Sequence, residues 1–337
     1  MFVVIVTILF RYHFHFKFSC HIYIIPHFLI LATISLLRYN KIMAKKPHTS
    51  KHRITISFPA IITFFIITIT IIGTFFFIRS IETYDYIVET NAFFAPFEFY
   101  DSRKIIGVDI DIIHQVADKL NAKIDIRNVD FDLIIDNVAD GVIADAGAAG
   151  LTITPARAEK VDFSIPYYTS AQYIIFGQNS VPSVRNDHVT WESLAGKVLG
   201  SQMGSTGYLF ASNEIENGSL QHTNTTIKGL DSHQLAADAI NAHIIDYAIA
   251  DKLAAEYIVN KNPSLAALPL YYQGSTPDDD YPVEESYAIA VNKHCPELLT
   301  AFNEVLTEML RPNADGITEI DQLVLKYLNL NESITNQ

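Results

Sequence analysis

Cysteine is nearly absent. Cys20 stands near the amino terminus and Cys295 in the body of the chain, so the body holds no pair and no disulfide is expected. Lys17, Phe18 and Ser19 precede Cys20, charged and bulky neighbours that argue against lipid attachment there. Acidic residues are missing from the first 79 positions, which carry nine Lys or Arg and no Asp or Glu. Basic residues are scarce from residue 80 onward, where 15 stand against 37 acids for a net charge of −22. A body so acidic excludes nucleic acid as a partner, because a phosphate backbone is held by basic surface. Metal-ligand spacing is missing too: His13, His15, His21 and His27 sit among apolar residues at intervals that match no ligand set, and no metal is expected. The strand and turn Gly196–Gly207, GKVLGSQMGSTG, lacks the Gly-Lys-Ser/Thr ending of a phosphate loop. Nucleotide binding is thereby excluded, and no cofactor is expected.

The chain does have apolar length. Its 337 residues hold material for roughly two domains of about 150 residues each. From Ile54 to Ile78 it is uncharged and rich in Ile, Phe and Thr, long enough to cross a bilayer core of about 30 Å as a helix. Lys45, Lys46, Lys51 and Arg53 precede this run and place its amino-terminal side in the cytoplasm, with Tyr84 onward outside. Phe75, Phe76, Phe77, Ile78 and Arg79 offer no small-residue cleavage site, so residues 54–79 read as an uncleaved anchor rather than a signal peptide. Within the N-terminal segment 1–53, the apolar run Phe18–Leu37 is either a first span interrupted by His21, Pro26 and His27 or sequence upstream of a start at Met43. The second reading is preferred, because MAKKPHTSKHR from Met43 has the form of an ordinary basic leader.

The stretch Gly147–Tyr168, GAAGLTITPARAEKVDFSIPYY, organises the body. Thr154 followed by Pro155 is a helix start: a hydroxyl that can cap free N–H groups, then a residue whose missing N–H costs nothing at the first helical position. Arg157 falls in the first turn, where the helix dipole disfavours a cation unless an anion is near. It is either a surface arginine on a short helix or a receiver for a carboxylate or phosphate. Gly150 and Thr152 leave an apolar strand just before it, and a glycine lets a ligand reach backbone N–H groups.

Glycine, an apolar residue, TIT-x-x-R and then VDFS-x-PYY together resemble the extracellular solute-binding proteins of family 3, the polar amino acid receptors of bacterial ABC importers. The resemblance runs from about Tyr84 to about Leu330. It implies an α/β, two-lobed periplasmic-binding-protein fold of type II, with lobe 1 over residues 84–175 and 288–333 and lobe 2 over 176–287. The implied partners are a free amino acid and an ABC permease in the inner membrane, and a monomer is expected. With the anchor, the protein is expected in the periplasm, tethered to the inner membrane.

Further motifs recur in the family's order. Asn91–Phe99, NAFFAPFEF, resembles the loop after the family's first strand, which implies that Phe94 stacks on the bound amino acid; as residues alone, Phe94 is equally core. Asn91 stands where several relatives have Asp. Gly107–Leu120 matches the G-x-D-x-D signature opening an amphipathic helix, with Ile112, Ile113, Val116, Ala117 and Leu120 inward. Asp109 and Asp111 are read as structural acids at that helix's N-terminus. Phe131 matches a position that closes over the ligand. Strand, helix, strand, helix, strand in one hundred residues argues a largely parallel sheet, with ligands outside the strands' carboxyl ends.

Tyr173–Gly177 resembles the first hinge strand and Glu285–Val291 the returning one. Gly204, Ser205 and Thr206 open a helix facing Arg157, and with Thr152 they are implied to hold the ligand's carboxylate. Asp251 ends the strand Asp246–Asp251 and matches the family's amine-binding acid, although a lone Asp there is more often a cap for the next helix. The expected function is amino acid binding for import, without catalysis. The alternative is a dehydratase of the cyclohexadienyl or arogenate type on the same fold, which needs an extra catalytic carboxylate that these motifs do not supply.

Overall fold

The computed structural model describes residues 67–73 and 83–335. Of the expected span Ile54–Ile78, residues 67–73 are helical, and no helix among the described residues is long and apolar enough to cross a membrane. The rest of that span, Cys20, the early histidines and the start at Met43 lie outside the described residues. Residues 1–81 and 82–337 cluster as separate units, and the second carries two α/β lobes.

The first lobe is built on five strands in the order Ile124–Asn128, Tyr86–Thr90, Ala146–Gly147, Ala290–Val291 and Asp162–Phe163. The first three run parallel, as strand–helix–strand connections require, and the last two junctions are antiparallel because Ala290–Val291 arrives from the other lobe. Helix Val108–Leu120 buries Val108, Ile110, Ile112, Ile113 and Val116 and leaves Asp118 and Lys119 exposed. Each of those fully buried side chains contributes roughly 1.5–3 kcal/mol. The same helix packs against Pro296–Met309 and Glu319–Thr335, so the chain's last two helices close the lobe that its first strand began.

The expected loop Asn91–Phe99 is partly strand. Phe93–Phe94 pairs with Glu98–Asp101, which pairs in turn with Lys104–Ile106. That small sheet fixes the Phe94 ring over Gly150.

The second lobe's sheet runs Thr226–Leu230, Val198–Gln202, Tyr247–Asp251, Tyr168–Gly177, Leu265–Tyr272 and Tyr281–Pro282. Ile174, Phe176, Trp191, Leu199 and Ile249 form its core. Tyr173–Gly177, expected as a hinge strand, lies inside this sheet between Tyr247–Asp251 and Leu265–Tyr272. The pairing that joins the two chain crossings is made earlier, by Tyr168–Ala171 against Glu284–Tyr287. A ten-residue strand can do both, because its first part pairs with one neighbour and its last part with two others.

Candidate ligand-binding site

Local chemistry sets the first-lobe wall. Thr154 caps helix Pro155–Lys160, its hydroxyl accepting from the Arg157 N–H at 3.2 Å. This turn points the Arg157 side chain back into the cleft. Its Nη1 donates to the Thr152 carbonyl at 2.8 Å, and its Nη2 donates across the cleft to the Gly204 carbonyl at 2.9 Å. The guanidinium also lies 5.7 Å from the centre of the Phe131 ring. Burial lowers its pKa to about 10, with Glu285 and Asp251 opposing that fall, and it stays charged at neutral pH.

Gly150 has φ +54°, and a Cβ there would meet the Phe94 ring at 2.6 Å. Only glycine fits both the backbone and the ring. Its N–H donates to Asp109 Oδ2 at 3.0 Å, while Tyr167 donates its hydroxyl to Asp109 Oδ1 at 2.5 Å. The sequence placed Asp109 at a helix start as a structural acid, and it is fully buried behind the cleft wall. Burial raises its pKa to about 6. Glu98, also fully buried, lies against it, and burial and the Asp109 charge hold its carboxyl well above the usual range.

The second-lobe wall comes from two strand ends. Gly204 has φ +74° and lies so close to Asp132 of the first lobe that a Cβ would sit 2.8 Å from the Asp132 Cβ. Ser205 caps helix Thr206–Asn217 by accepting from the Tyr208 N–H, and it also bonds Ser201 at 3.0 Å. Asp251 does not cap the helix that follows it. Its carboxylate turns into the cleft, where Gln172 Nε2 donates to Oδ1 at 2.5 Å and the Tyr287 hydroxyl donates to Oδ2 at 2.7 Å.

These walls enclose a cavity of about 10 Å³, on the order of one water molecule, so an amino acid enters only when the lobes part. Phe94, Phe131, Gly150, Thr152, Ser205, Thr206 and Asp251 line it. Arg157 and Gly204 are not among its lining residues and meet each other across the cleft, with Arg157 also bonded to the carbonyl of the lining residue Thr152. Asn91 is not in the lining either; its side-chain oxygen accepts from the lining residue Gln202 of the other lobe at 3.0 Å, and its amide donates to the Val129 carbonyl at 2.8 Å.

Several residues of the site escaped the sequence reading. Gln202 and His233 line the cavity; the His233 ring is buried, held neutral by that burial, and its Nδ1 finds no partner among the described residues. Gln172, Tyr287 and Glu285 form the floor. Glu285 accepts from Thr152 at 2.7 Å, Thr206 at 2.6 Å and Gln172 at 2.7 Å. Burial and the neighbouring Asp251 push its carboxyl well above the usual range. One signal was readable: Val283, Glu285 and Tyr287 alternate as buried positions, which puts an acid on the inner face of a strand. Among the described residues no cluster of His, Cys, Asp and Glu is arranged to hold a metal ion.

Two α/β lobes joined by paired crossings, with an acid of the second lining the cavity and an arginine of the first reaching across the cleft to the Gly204 carbonyl, have the architecture of a cleft-closing binding protein. The sequence profile of the bacterial extracellular solute-binding proteins, family 3, matches residues 86–329, and the chain belongs to that family. It is 29% identical over 226 residues to the arginine-binding extracellular protein ArtP of Bacillus subtilis, covering 66% of this chain and 80% of that protein. It is 28% identical over 241 residues to a probable histidine-binding protein of Campylobacter jejuni, covering 71% and 83%. Among solved structures, an ancestral arginine-binding protein bound to arginine is 30% identical with a TM-score of 0.58, covering 72% of this chain and 97% of that one. The amino acid ABC transporter substrate-binding protein AbpA of Streptococcus pneumoniae, bound to L-arginine, is 25% identical with a TM-score of 0.60, covering 72% and 94%.

Proposed function

We propose that this protein is the solute-binding component of an amino acid ABC importer, taking a free amino acid between its lobes and delivering it to a permease. The observation that carries the reading is Asp251 in the cavity's lining with Arg157 beside it, its guanidinium bonded to the carbonyl of the lining residue Thr152 and across the cleft to that of Gly204: an acid for an ammonium and a fixed cation for a carboxylate. Closure around the ligand excludes water, which makes such charge-assisted bonds stronger than in the open form.

A ligand with a basic side chain is favoured. Asp251 lines the cavity as an acid, while burial pushes the carboxyls of Glu285, Asp109 and Glu98 around it toward their neutral forms. The relatives named for arginine and histidine support the same class.

The dehydratase reading gains a candidate in Glu285, the extra carboxyl that the motifs did not supply. That carboxyl is bonded to three side-chain donors and does not line the cavity, which supports binding over elimination chemistry. A thermal-shift panel of the common amino acids tests the function, since ligand at 100 times its Kd adds about 2.7 kcal/mol. Stabilisation by arginine, lysine or histidine is the expected result. Turnover of prephenate or arogenate to an aromatic product would favour the enzyme.

A further inference from the structure

We propose that His233 is a specificity-determining residue whose Nδ1 accepts an N–H from the end of the ligand's side chain, so that this cleft selects amino acids ending in a nitrogen donor over those ending in a carboxylate. The inference rests on the amino acid-binding function proposed for this cleft and goes beyond it by assigning a residue that reads the ligand's side chain.

The place of the ring follows from the helix start that carries it. Ser232 caps helix His233–Asn241, its hydroxyl accepting from the Leu235 N–H at 3.2 Å, so His233 is the first helical residue. Its ring is 6% exposed, lines the cavity and lies with its centroid 5.8 Å from that of the Phe94 ring. A second-lobe imidazole therefore faces a first-lobe aromatic across the cleft.

A neutral imidazole has one N–H to give and one lone pair to offer. Burial, opposed by the Asp251 charge, holds the His233 ring neutral, and the Ile249 backbone takes its hydrogen bond. Nδ1 has no partner among the described residues. A buried acceptor without a donor is uncommon in a folded protein, and a ligand N–H supplies the missing bond. Gln202 lines the same cavity with its amide hydrogens already committed. Its Nε2 donates to Asn91 Oδ1 at 3.0 Å and to the carbonyl of Asp231, two residues before His233, at 3.3 Å. What Gln202 has left to offer is its oxygen. A guanidinium, ammonium, imidazole or carboxamide brings N–H donors to these acceptors, whereas a side-chain carboxylate sets lone pairs against lone pairs.

The test is calorimetry on the full chain with L-arginine, L-lysine, L-histidine, L-glutamine and L-glutamate, then on His233→Phe and His233→Asn with whichever of these binds most tightly. The unaltered protein should bind one of the nitrogen donors about tenfold or more tighter than L-glutamate. His233→Phe keeps a buried ring and deletes the lone pair, so affinity for that amino acid should fall about tenfold or more. His233→Asn returns an acceptor oxygen near the place of Nδ1 and should recover affinity to within about threefold of the parent. Tightest binding of L-glutamate, or full affinity in His233→Phe, would overturn the proposal. Equal losses in both variants, the mark of a merely structural ring, would do the same. If His233→Phe does not fold, the ring reports on itself. In isotope-labelled protein the Nδ1 resonance, assigned by its loss in His233→Asn, should move upfield when the amino acid binds, as for a lone pair that gains a donor. An unmoved resonance overturns the proposal. Failure of the unaltered protein to bind any common amino acid removes the functional reading and this inference with it. Binding with equal losses, or with an unmoved resonance, removes this inference alone.

Discussion

Tyr287 donates its hydroxyl to Asp251 Oδ2 at 2.7 Å, so a residue of the returning crossing holds the acid at the end of a second-lobe strand. The Tyr287 ring is almost wholly buried, stacked on Tyr168 with centroids 5.7 Å apart, and edge-on to Phe97 at 5.1 Å. Tyr287→Phe keeps that packing and removes only the hydroxyl. Affinity for the amino acid should fall about tenfold, the scale of one hydrogen bond to a charged group, with the melting temperature little changed. Calorimetry on the variant checks this, and unaltered affinity would mean that Asp251 needs no help from the crossing strand.

Arg157 and Asp251 should each matter separately. Truncating one partner of a buried charged pair typically costs about 2–5 kcal/mol, so Arg157→Ala or Asp251→Ala should weaken binding roughly thirtyfold or more. The two variants should differ in kind. Asp251→Ala should lose preference for the amino acid over the analogue lacking its amine, and Arg157→Ala should lose preference over the carboxamide. Both preferences surviving in both variants would remove these residues from the site.

Asp109 gives a pH dependence whose sign is set by its surroundings. Its pKa rises from 3.8 to about 6 in the folded protein because burial disfavours the charged form, ahead of the Tyr167 and Gly150 bonds that oppose the rise. A carboxyl raised in this way stabilises the fold fully below its unfolded value, and that contribution is lost as pH rises through about 6. The full effect is roughly 3 kcal/mol by linkage. Asp109→Asn still accepts the Gly150 N–H and should show a flatter fall of melting temperature between pH 4 and pH 7.5. Identical slopes for variant and parent would show that the group does not titrate there.

Gly150→Ala should damage both stability and binding. Its φ of +54° is costly for alanine, and the new Cβ would press on the Phe94 ring at 2.6 Å. A loss of about 1–3 kcal/mol is expected from the backbone alone, read by denaturant unfolding, with weakened ligand affinity because Phe94 is displaced. A variant as stable and as tight as the parent would show that ring and backbone move together freely.

The amino-terminal segment should anchor the protein without touching the ligand. A chain beginning at Tyr84 should bind as tightly as the full chain in detergent, because the acidic body supplies both walls. Cell fractionation should place the full chain in the membrane. Soluble mature protein beginning near Ile78 to Asp85 would show instead that the segment is cut.

Whatever rests on neighbours within a turn or two was legible in the sequence. Thr154, Pro155 and Arg157 announced a capped helix start because capping is a bond between residues three apart, and the structure holds that bond at 3.2 Å. The inward face of Val108–Leu120 emerged from helical spacing in the same way. Glu285 was read only as the start of the returning strand, and its alternation with Val283 and Tyr287 could at most have put it on a buried face, not said what it touches. Its partners Thr152, Gln172 and Thr206 lie far from it in the chain, and they meet it only because Tyr168–Ala171 pairs in register with Glu284–Tyr287. Asp251 shows the division in one residue. The sequence allowed either a helix cap or a ligand for an amine, and capping is the commoner fate of an acid at such a position. Its carboxylate instead meets Gln172 and Tyr287 from the two crossing strands, because burial at the cleft floor required partners that only the folded chain could bring.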